Sequence, residues 1–139
     1  MAAQGAFFNQ GEVCSANSRI LVQNNIAKDF INLLMKKSDE WLPGDPLNPL
    51  SKIGCVVSEE HAKKVNEFID KAKQETDLIY EGKNYSNSNV NTFISPTIFK
   101  DNNGNKEISR DEVFGPVASI IPFETQEEAI YIANNTNYG

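Results

Sequence analysis

The order of strand-like and helix-like segments is the sequence feature that most constrains the fold of this chain. Short runs rich in branched aliphatic residues, typical of buried strands, stand at residues 18–23, 77–82, 93–101 and 117–123. Two amphipathic patterns separate the first run from the second, and a third follows the last run. This order favours an α/β architecture with a mainly parallel sheet flanked by helices.

The first amphipathic pattern follows the first strand-like run. Ile26, Phe30, Leu33 and Leu34 recur at helical spacing, so we expect them in the apolar face of one helix. Pro43 and the glycine after it forbid continuation, and the helix should end before them.

The other two helical patterns begin at capping residues. Ser58 precedes two glutamates and an amphipathic stretch, which predicts a capped helix that ends near residues 75–76. Thr125 stands three residues before Glu128, the spacing of a capping box. The apolar side of that last helix is expected to carry Ala129, Ile130, Ile132 and Ala133.

Two further segments bear on the sheet. Pro96 lacks a backbone donor, which predicts an edge strand or an irregular strand start. Residues 83–91, rich in Asn and Ser, are typical of a polar surface loop.

A parallel sheet needs helices that cover both faces and protection for its edge strands, and three helical patterns are few for that task. We therefore expect an incomplete layer.

The composition excludes several classes of partner. The 139 residues suffice for one compact domain, and 13 Lys and Arg against 19 Asp and Glu give a formal charge of −6. Such a chain has no extended basic field for nucleic acid or an anionic membrane. Its apolar runs fall short of the roughly 20 residues of a spanning helix, and its start lacks a secretion-signal pattern. We expect a soluble, cytoplasmic protein without nucleic-acid or membrane partners.

The most informative stretch for chemistry is FFNQGEVCSANSR, residues 7–19. Cys14 follows a glycine by three residues and stands just before a predicted strand, a placement typical of loop-borne nucleophiles. The alternative is a buried structural thiol, the commoner role of cysteine. Cys55 is the only other cysteine in the sequence. A disulfide between Cys14 and Cys55 would require their backbones to lie close together. Because the sequence has no secretion signal, we expect both thiols to be free.

The second informative stretch is SRDEVFGPV, residues 109–117. We expect a short helical turn here that closes at Gly115 and the following proline. Asp111 and Glu112 are then either solvated acids at a helix start or carboxylates that a rigid turn holds ready for ligand hydroxyls.

His61 is the only histidine, so the sequence excludes a multi-histidine metal site, and any Cys-His or Ser-His-Asp set would have to use this residue. The alternative is a histidine on a solvated helix face. Glycine-rich phosphate-binding motifs are absent from the sequence, so a nucleotide would be held mainly by groups outside this chain.

Taken together, these stretches resemble the aldehyde dehydrogenase superfamily. FFNQGEVCSANSRILV is similar to the family's catalytic-cysteine segment, and GDPLNP, PTIFKD, DEVFGPV and NNTNYG follow in the family's order. Several motifs in the correct order are more specific than one short pattern. Within the family, NQGEVC and Cys55 are most similar to the γ-glutamyl-γ-aminobutyraldehyde dehydrogenase type.

The resemblance implies the oxidation of an aldehyde to a carboxylic acid with NAD or NADP. Cys14 would be the nucleophile, forming a thiohemiacetal and then a thioester. The backbone N–H of Cys14 would supply one oxyanion donor.

The resemblance also implies a cofactor-binding set and a substrate-binding set. Glu112 matches the glutamate that binds the nicotinamide ribose, Phe114 matches the aromatic beside the nicotinamide, and His61 and Lys64 match positions near that ribose. The substrate tunnel would be lined by Phe8, Val13 and Ser15.

The family's general-base glutamate and oxyanion asparagine precede the cysteine motif, and only thirteen residues precede Cys14 here. The resemblance therefore implies that residues 1–139 are a partial catalytic domain without the dinucleotide-binding domain, inactive alone. A second hypothesis is a non-catalytic α/β fragment that forms a homo-oligomer or associates with a complementing chain. A third is a thiol hydrolase that uses Cys14 and His61.

Overall fold

The computed structural model describes residues 1–85 and 91–138. Its strands and longer helices follow the predicted order, but the sequence patterns did not predict the short helix at residues 2–7. Within these residues the helices are α1 (Ala2–Phe7), α2 (Asn24–Ser38), α3 (Glu59–Glu75), α4 (Glu107–Arg110) and α5 (Gln126–Asn134). The strands are β1 (Arg19–Gln23), β2 (Asp77–Glu81), β3 (Thr97–Lys100) and β4 (Val117–Phe123). Residues 86–90 of the predicted polar loop and Gly139 of the closing NNTNYG motif lie outside the described residues.

The described strands form one sheet in the order β1-β4-β3-β2. β4 pairs in parallel with β1 and with β3, whereas β2 pairs antiparallel with β3. Two of the three pairings are parallel, which confirms the predicted fold class. Of the two alternatives predicted at Pro96, the edge strand is wrong, because β3 lies between β4 and β2, and the proline stands at the start of the strand instead. The proline is tolerated because it stands just before the strand, and the ladder begins with Thr97 N donating to Pro116 O at 2.9 Å.

Helices cover both faces of the sheet. Ile98 and Phe99 are both fully buried, and their side chains point to opposite faces because side chains alternate along a strand. On the face of Ile98, α1 and α2 complete one apolar cluster, with Phe7 and Leu34 in it. On the face of Phe99, α3 and α4 complete the other.

The predicted apolar face of α2 is only partly correct. Leu34 is 4% exposed, but Ile26 and Leu33 are 54% and 65% exposed. The helix meets the sheet through Ala27 and Leu34, seven residues apart, and each exposed residue lies one position earlier, rotated by about 100°. The prediction for α5 is also partly correct: Ile132 is buried as expected, whereas Ile130 is 52% exposed.

Both predicted helix caps are confirmed. Ser58 Oγ accepts a hydrogen bond from His61 N at 3.1 Å, and α3 ends at Glu75 as expected. Thr125 Oγ1 accepts from Glu128 N at 3.2 Å, and the Glu128 carboxylate accepts from Glu124 N at 2.7 Å. None of the described helices combines the length and apolarity needed to cross a membrane.

Candidate active site

The segment that leads to Cys14 has an unusual backbone. Asn9, Gln10 and Gly11 follow one another with φ values of 50°, 57° and 73°. The third of these positions requires glycine, because a Cβ there would lie 2.1 Å from the carbonyl oxygen of Gly115. The cysteine segment therefore contacts the Phe-Gly-Pro turn directly, through two glycine backbones.

Cys14 itself lies in an exposed turn. The turn is closed by Ala16 N, which donates to Val13 O at 2.9 Å. The thiol is free and exposed, so the alternative of a buried structural thiol is wrong. Asn17 N donates to Gly5 O at 2.9 Å, which ties the end of the turn to α1.

A cavity of about 250 Å³ adjoins this turn, and its lining residues are Gln4, Gly5, Phe8, Val13, Ser15 and Ala16. All three residues implied for the substrate tunnel are among them. Cys14 stands in the chain between two of these lining residues. The cavity wall is largely apolar because Phe8, Val13 and Ala16 contribute hydrocarbon to it.

Two side chains fasten the cysteine segment to the loop that precedes α3. Gln10 Oε1 accepts a hydrogen bond from Gly54 N at 3.2 Å, and Glu12 Oε1 accepts one from Val57 N at 3.0 Å. These contacts join residues 44 and 45 positions apart in the chain. Sequence reasoning missed them, because no local pattern marks a bond between a side chain and a distant backbone amide.

The Phe-Gly-Pro turn meets α3 on its other side. Phe114 has φ 55°, and its carbonyl lies 2.7 Å from His61 Nε2. The two rings are edge-to-face, with centroids 6.3 Å apart. His61 Nε2 also lies 3.6 Å from Glu12 Oε1. The His61 side chain is 20% exposed, so the solvated-histidine alternative is wrong.

The other predicted cofactor residues lie in less constrained positions. Glu112 is exposed and makes no recorded side-chain hydrogen bond within residues 1–85 and 91–138. Lys64 Nζ pairs with Glu60 Oε1 at 2.9 Å, and the hydrogen bond and charge of the lysine lower the pKa of Glu60. The predicted helical turn ends earlier than expected, at Arg110, so Asp111 and Glu112 follow a helix instead of starting one.

An exposed thiol and an apolar cavity, both within residues 4–16, thus belong to a segment that contacts an aromatic turn from a distant part of the chain. The arrangement does not pair Cys14 with His61: in the described part of the chain His61 Nε2 bonds to Phe114 O, and no bond between the two side chains is recorded. Among those residues there is also no cluster of three His, Cys, Asp or Glu that could hold a metal ion.

Residues 1–139 match the family model described as Aldehyde dehydrogenase family. The chain belongs to the aldehyde dehydrogenase family. This aldehyde dehydrogenase chain is 38% identical over 137 residues to the NADP/NAD-dependent aldehyde dehydrogenase PuuC of Escherichia coli strain K12, a match that covers 99% of this chain and 27% of that protein.

Solved structures of the aldehyde dehydrogenase family have the same fold. The γ-glutamyl-γ-aminobutyraldehyde dehydrogenase from Burkholderia cenocepacia J2315 matches with a TM-score of 0.93 and 36% identity, over 99% of this chain and 28% of that one. Betaine aldehyde dehydrogenase from Staphylococcus aureus, solved with NAD+, matches with a TM-score of 0.90 and 36% identity over the same shares. The predicted family is confirmed, and the chain spans about 28% of the length of these relatives.

Proposed function

We propose that this chain is the cysteine-bearing part of an NAD(P)-dependent aldehyde dehydrogenase, with Cys14 as the nucleophile. The observation that carries the proposal is the contact between the cysteine segment and the Phe-Gly-Pro turn at Gly11 and Gly115. Through it, an exposed thiol beside an apolar cavity and the aromatic of the turn belong to one site. A loop-borne nucleophile next to a binding cavity is what acyl transfer requires.

The chemistry follows from the thiol and the cavity. The Cys14 thiolate adds to the carbonyl carbon of the aldehyde, which gives a thiohemiacetal, and the backbone N–H of Cys14 donates to the developing oxyanion. Loss of hydride leaves a thioester, which water hydrolyses to the carboxylic acid and the free thiol. Phe8 and Val13 offer apolar surface for the chain of an aliphatic aldehyde.

The residues of the turn fit the nicotinamide ribose end of NAD or NADP, which supplies the hydride acceptor when bound. The Glu112 carboxylate is exposed and free of recorded partners among the described residues, so it is available to accept hydroxyl hydrogen bonds. Phe114 offers an apolar ring beside it. Lys64 would have to leave Glu60 before it could bind the same ribose.

The chain alone is expected to be a poor catalyst. Without a positioned general base the rate falls by about 100-fold or more, and a missing oxyanion donor costs a similar factor. The chain spans about 28% of its relatives, and we propose that the remaining groups come from the rest of such an enzyme.

Covalent trapping of the thiol tests the proposal. Iodoacetamide alkylation of Cys14 and Cys55 is followed by mass spectrometry with and without an aliphatic aldehyde. We expect the aldehyde to slow alkylation of Cys14 through reversible thiohemiacetal formation, and to leave exposed Cys55 unaffected as the internal control. Equal protection of both thiols, or protection of neither, contradicts the proposal.

Association with a complementing chain is the second candidate function. Among the described strands β1 and β2 each have a neighbour on one side only, so each has an edge available for pairing. Exposed apolar side chains on the outer surfaces of α2 and α5 add to this surface, with Leu33 at 65% and Tyr131 at 69%. Sedimentation of the purified chain distinguishes the hypotheses, because a well-behaved monomer argues against a required complement.

A further inference from the structure

The side chain of His61 contacts both chemical motifs of the site. Its Nε2 lies 2.7 Å from Phe114 O, in the aromatic turn, and 3.6 Å from Glu12 Oε1, two residues before Cys14. The side chains of His61 and Glu12 are 20% and 10% exposed. Because both contacts are largely shielded from water, the hydrogen bond to Phe114 O and the polar contact with Glu12 contribute more than they would on an open surface.

The bond to Phe114 fixes the proton on His61. A backbone carbonyl only accepts hydrogen bonds, so Nε2 must carry the proton and donate it. Both the neutral tautomer with hydrogen on Nε2 and the imidazolium meet this requirement, so the bond persists in either charge state. Nε2 has no lone pair to offer in either form, which removes it as a base for Cys14.

His61 contacts a strained segment on one side, at Phe114, and an exposed segment on the other, at Glu12. Phe114 is not glycine and has φ 55°, a strained conformation that needs support from its surroundings. At the other end, Glu12 fastens an exposed turn whose only recorded closing bond among the described residues joins Ala16 N to Val13 O. The histidine therefore adds a side-chain link between two segments that also meet at Gly11 and Gly115.

We propose that His61 is a positioning residue, which holds the Cys14 segment at a fixed place relative to the Phe114 turn through Glu12 and the Phe114 carbonyl. This inference rests on the proposed function, in which the two segments carry the nucleophile and the aromatic beside the nicotinamide. It differs from the ribose contact that the resemblance implies, because Nε2 already bonds within the protein.

Amide hydrogen exchange of the whole chain, measured by NMR, tests the coupling. The reporters on the cysteine side are the amides of Glu12 and Ala16, which donate to Asn9 O and Val13 O at 2.9 Å. In His61→Leu, which lacks the donor, we expect both amides to exchange roughly fivefold to tenfold faster. The amide of Thr76, at the far end of α3, should keep its rate.

Two matched variants separate positioning from general packing. His61→Gln keeps an N–H donor on a side chain of similar reach and should restore slow exchange. Lys63→Met alters the same helical turn at a side chain that is 79% exposed, and it should change nothing. The inference is wrong if folded His61→Leu leaves Glu12 and Ala16 at their original rates, or if the glutamine variant exchanges as fast as the leucine variant.

Glu12→Ala approaches the same contact from the other side and provides the test if His61→Leu does not fold. Glu12→Ala removes the contact with His61 and also the hydrogen bond from Val57 N, so exchange at Ala16 should rise by at least a similar factor. Adding His61→Leu should raise it no further, because His61 acts on this segment through Glu12. Unchanged exchange in Glu12→Ala, or additive effects in the double variant, overturns the inference. These measurements use neither aldehyde nor cofactor, so a failed trapping experiment at Cys14 overturns the proposed function without altering them.

Discussion

The α-carbon of Gly11 lies so close to the carbonyl of Gly115 that a methyl group on it would stand 2.1 Å from the oxygen. Two segments about a hundred residues apart thus meet backbone to backbone, without side chains between them. Glycine is needed on the Gly11 side for a second reason, since its φ of 73° is strained for other residues. The contact explains why the cysteine segment carries a glycine three residues before the thiol.

We predict that Gly11→Ala displaces the cysteine segment and destabilises the fold by about 2 kcal/mol or more, because the new methyl meets an inflexible backbone oxygen. Urea unfolding measures the loss. Gly54→Ala is the matched control: its added Cβ would meet its nearest atom at 3.6 Å, and its φ is not left-handed. Similar losses in both variants would contradict this explanation of Gly11.

The isolated chain should produce no NADH from an aldehyde and NAD+. The chain spans about 28% of the length of its relatives, and we expect the general base in the remaining part of such an enzyme. The sequence also has no recognisable phosphate-binding loop for the adenosine end of the cofactor. Absorbance of NADH at saturating aldehyde checks this. A signal that depends on aldehyde and disappears in Cys14→Ala would show that the chain is a complete catalyst.

Truncation of two adjacent leucines in α2 should change the free energy of unfolding by very different amounts. Leu34 is 4% exposed in the cluster under the sheet, and Leu34→Ala should cost about 2–5 kcal/mol through lost burial and a cavity. Leu33 is 65% exposed, and Leu33→Ala should change the free energy of unfolding by less than about 0.5 kcal/mol. Comparable losses would mean that the face of α2 towards the sheet is assigned wrongly.

Tyr80 should make the stability depend on alkaline pH. Burial, and then its 2.8 Å hydrogen bond to Asp39, raise the pKa of this phenol above its ordinary value of 10.0. In the unfolded chain the phenol ionises first, so its contribution is present below pH 10 and is lost as the pH rises further.

Urea midpoints of the wild type and Tyr80→Phe between pH 8 and pH 11 test this dependence. At neutral pH the variant should lose about 0.5–1.5 kcal/mol with the hydrogen bond. Above pH 10 the gap between the two proteins should narrow, because the variant has no phenol to ionise at this position. A gap that stays constant to pH 11 would argue against the raised pKa.

Local patterns predicted the parts of the fold that local physics decides. Ser58 and Thr125 were recognisable as caps because a cap bond spans only three residues. The strand-like runs became strands because branched aliphatic residues suit a buried, pleated surface. Motif order along the chain was enough to predict the aldehyde dehydrogenase family.

Other features needed the tertiary structure. Packing decided which side of α2 faces the sheet. The sequence could not distinguish Ile26 and Leu33 from Leu34, because these apolar residues differ only in their angle about the helix axis. Pro96 precedes a central strand because the neighbouring segments, and not the proline, set the order of the sheet.

The amino-acid sequence by itself determined most of the element types, the helix caps and which residues are candidates for the chemistry. Only the tertiary structure decided that Glu12, His61 and Phe114 meet at one point, and that Cys14 stands exposed beside an apolar cavity. The physical reason is range: capping bonds and periodic faces depend on neighbours a few residues away. Contacts across roughly fifty or a hundred residues depend on how the helices and the sheet pack together.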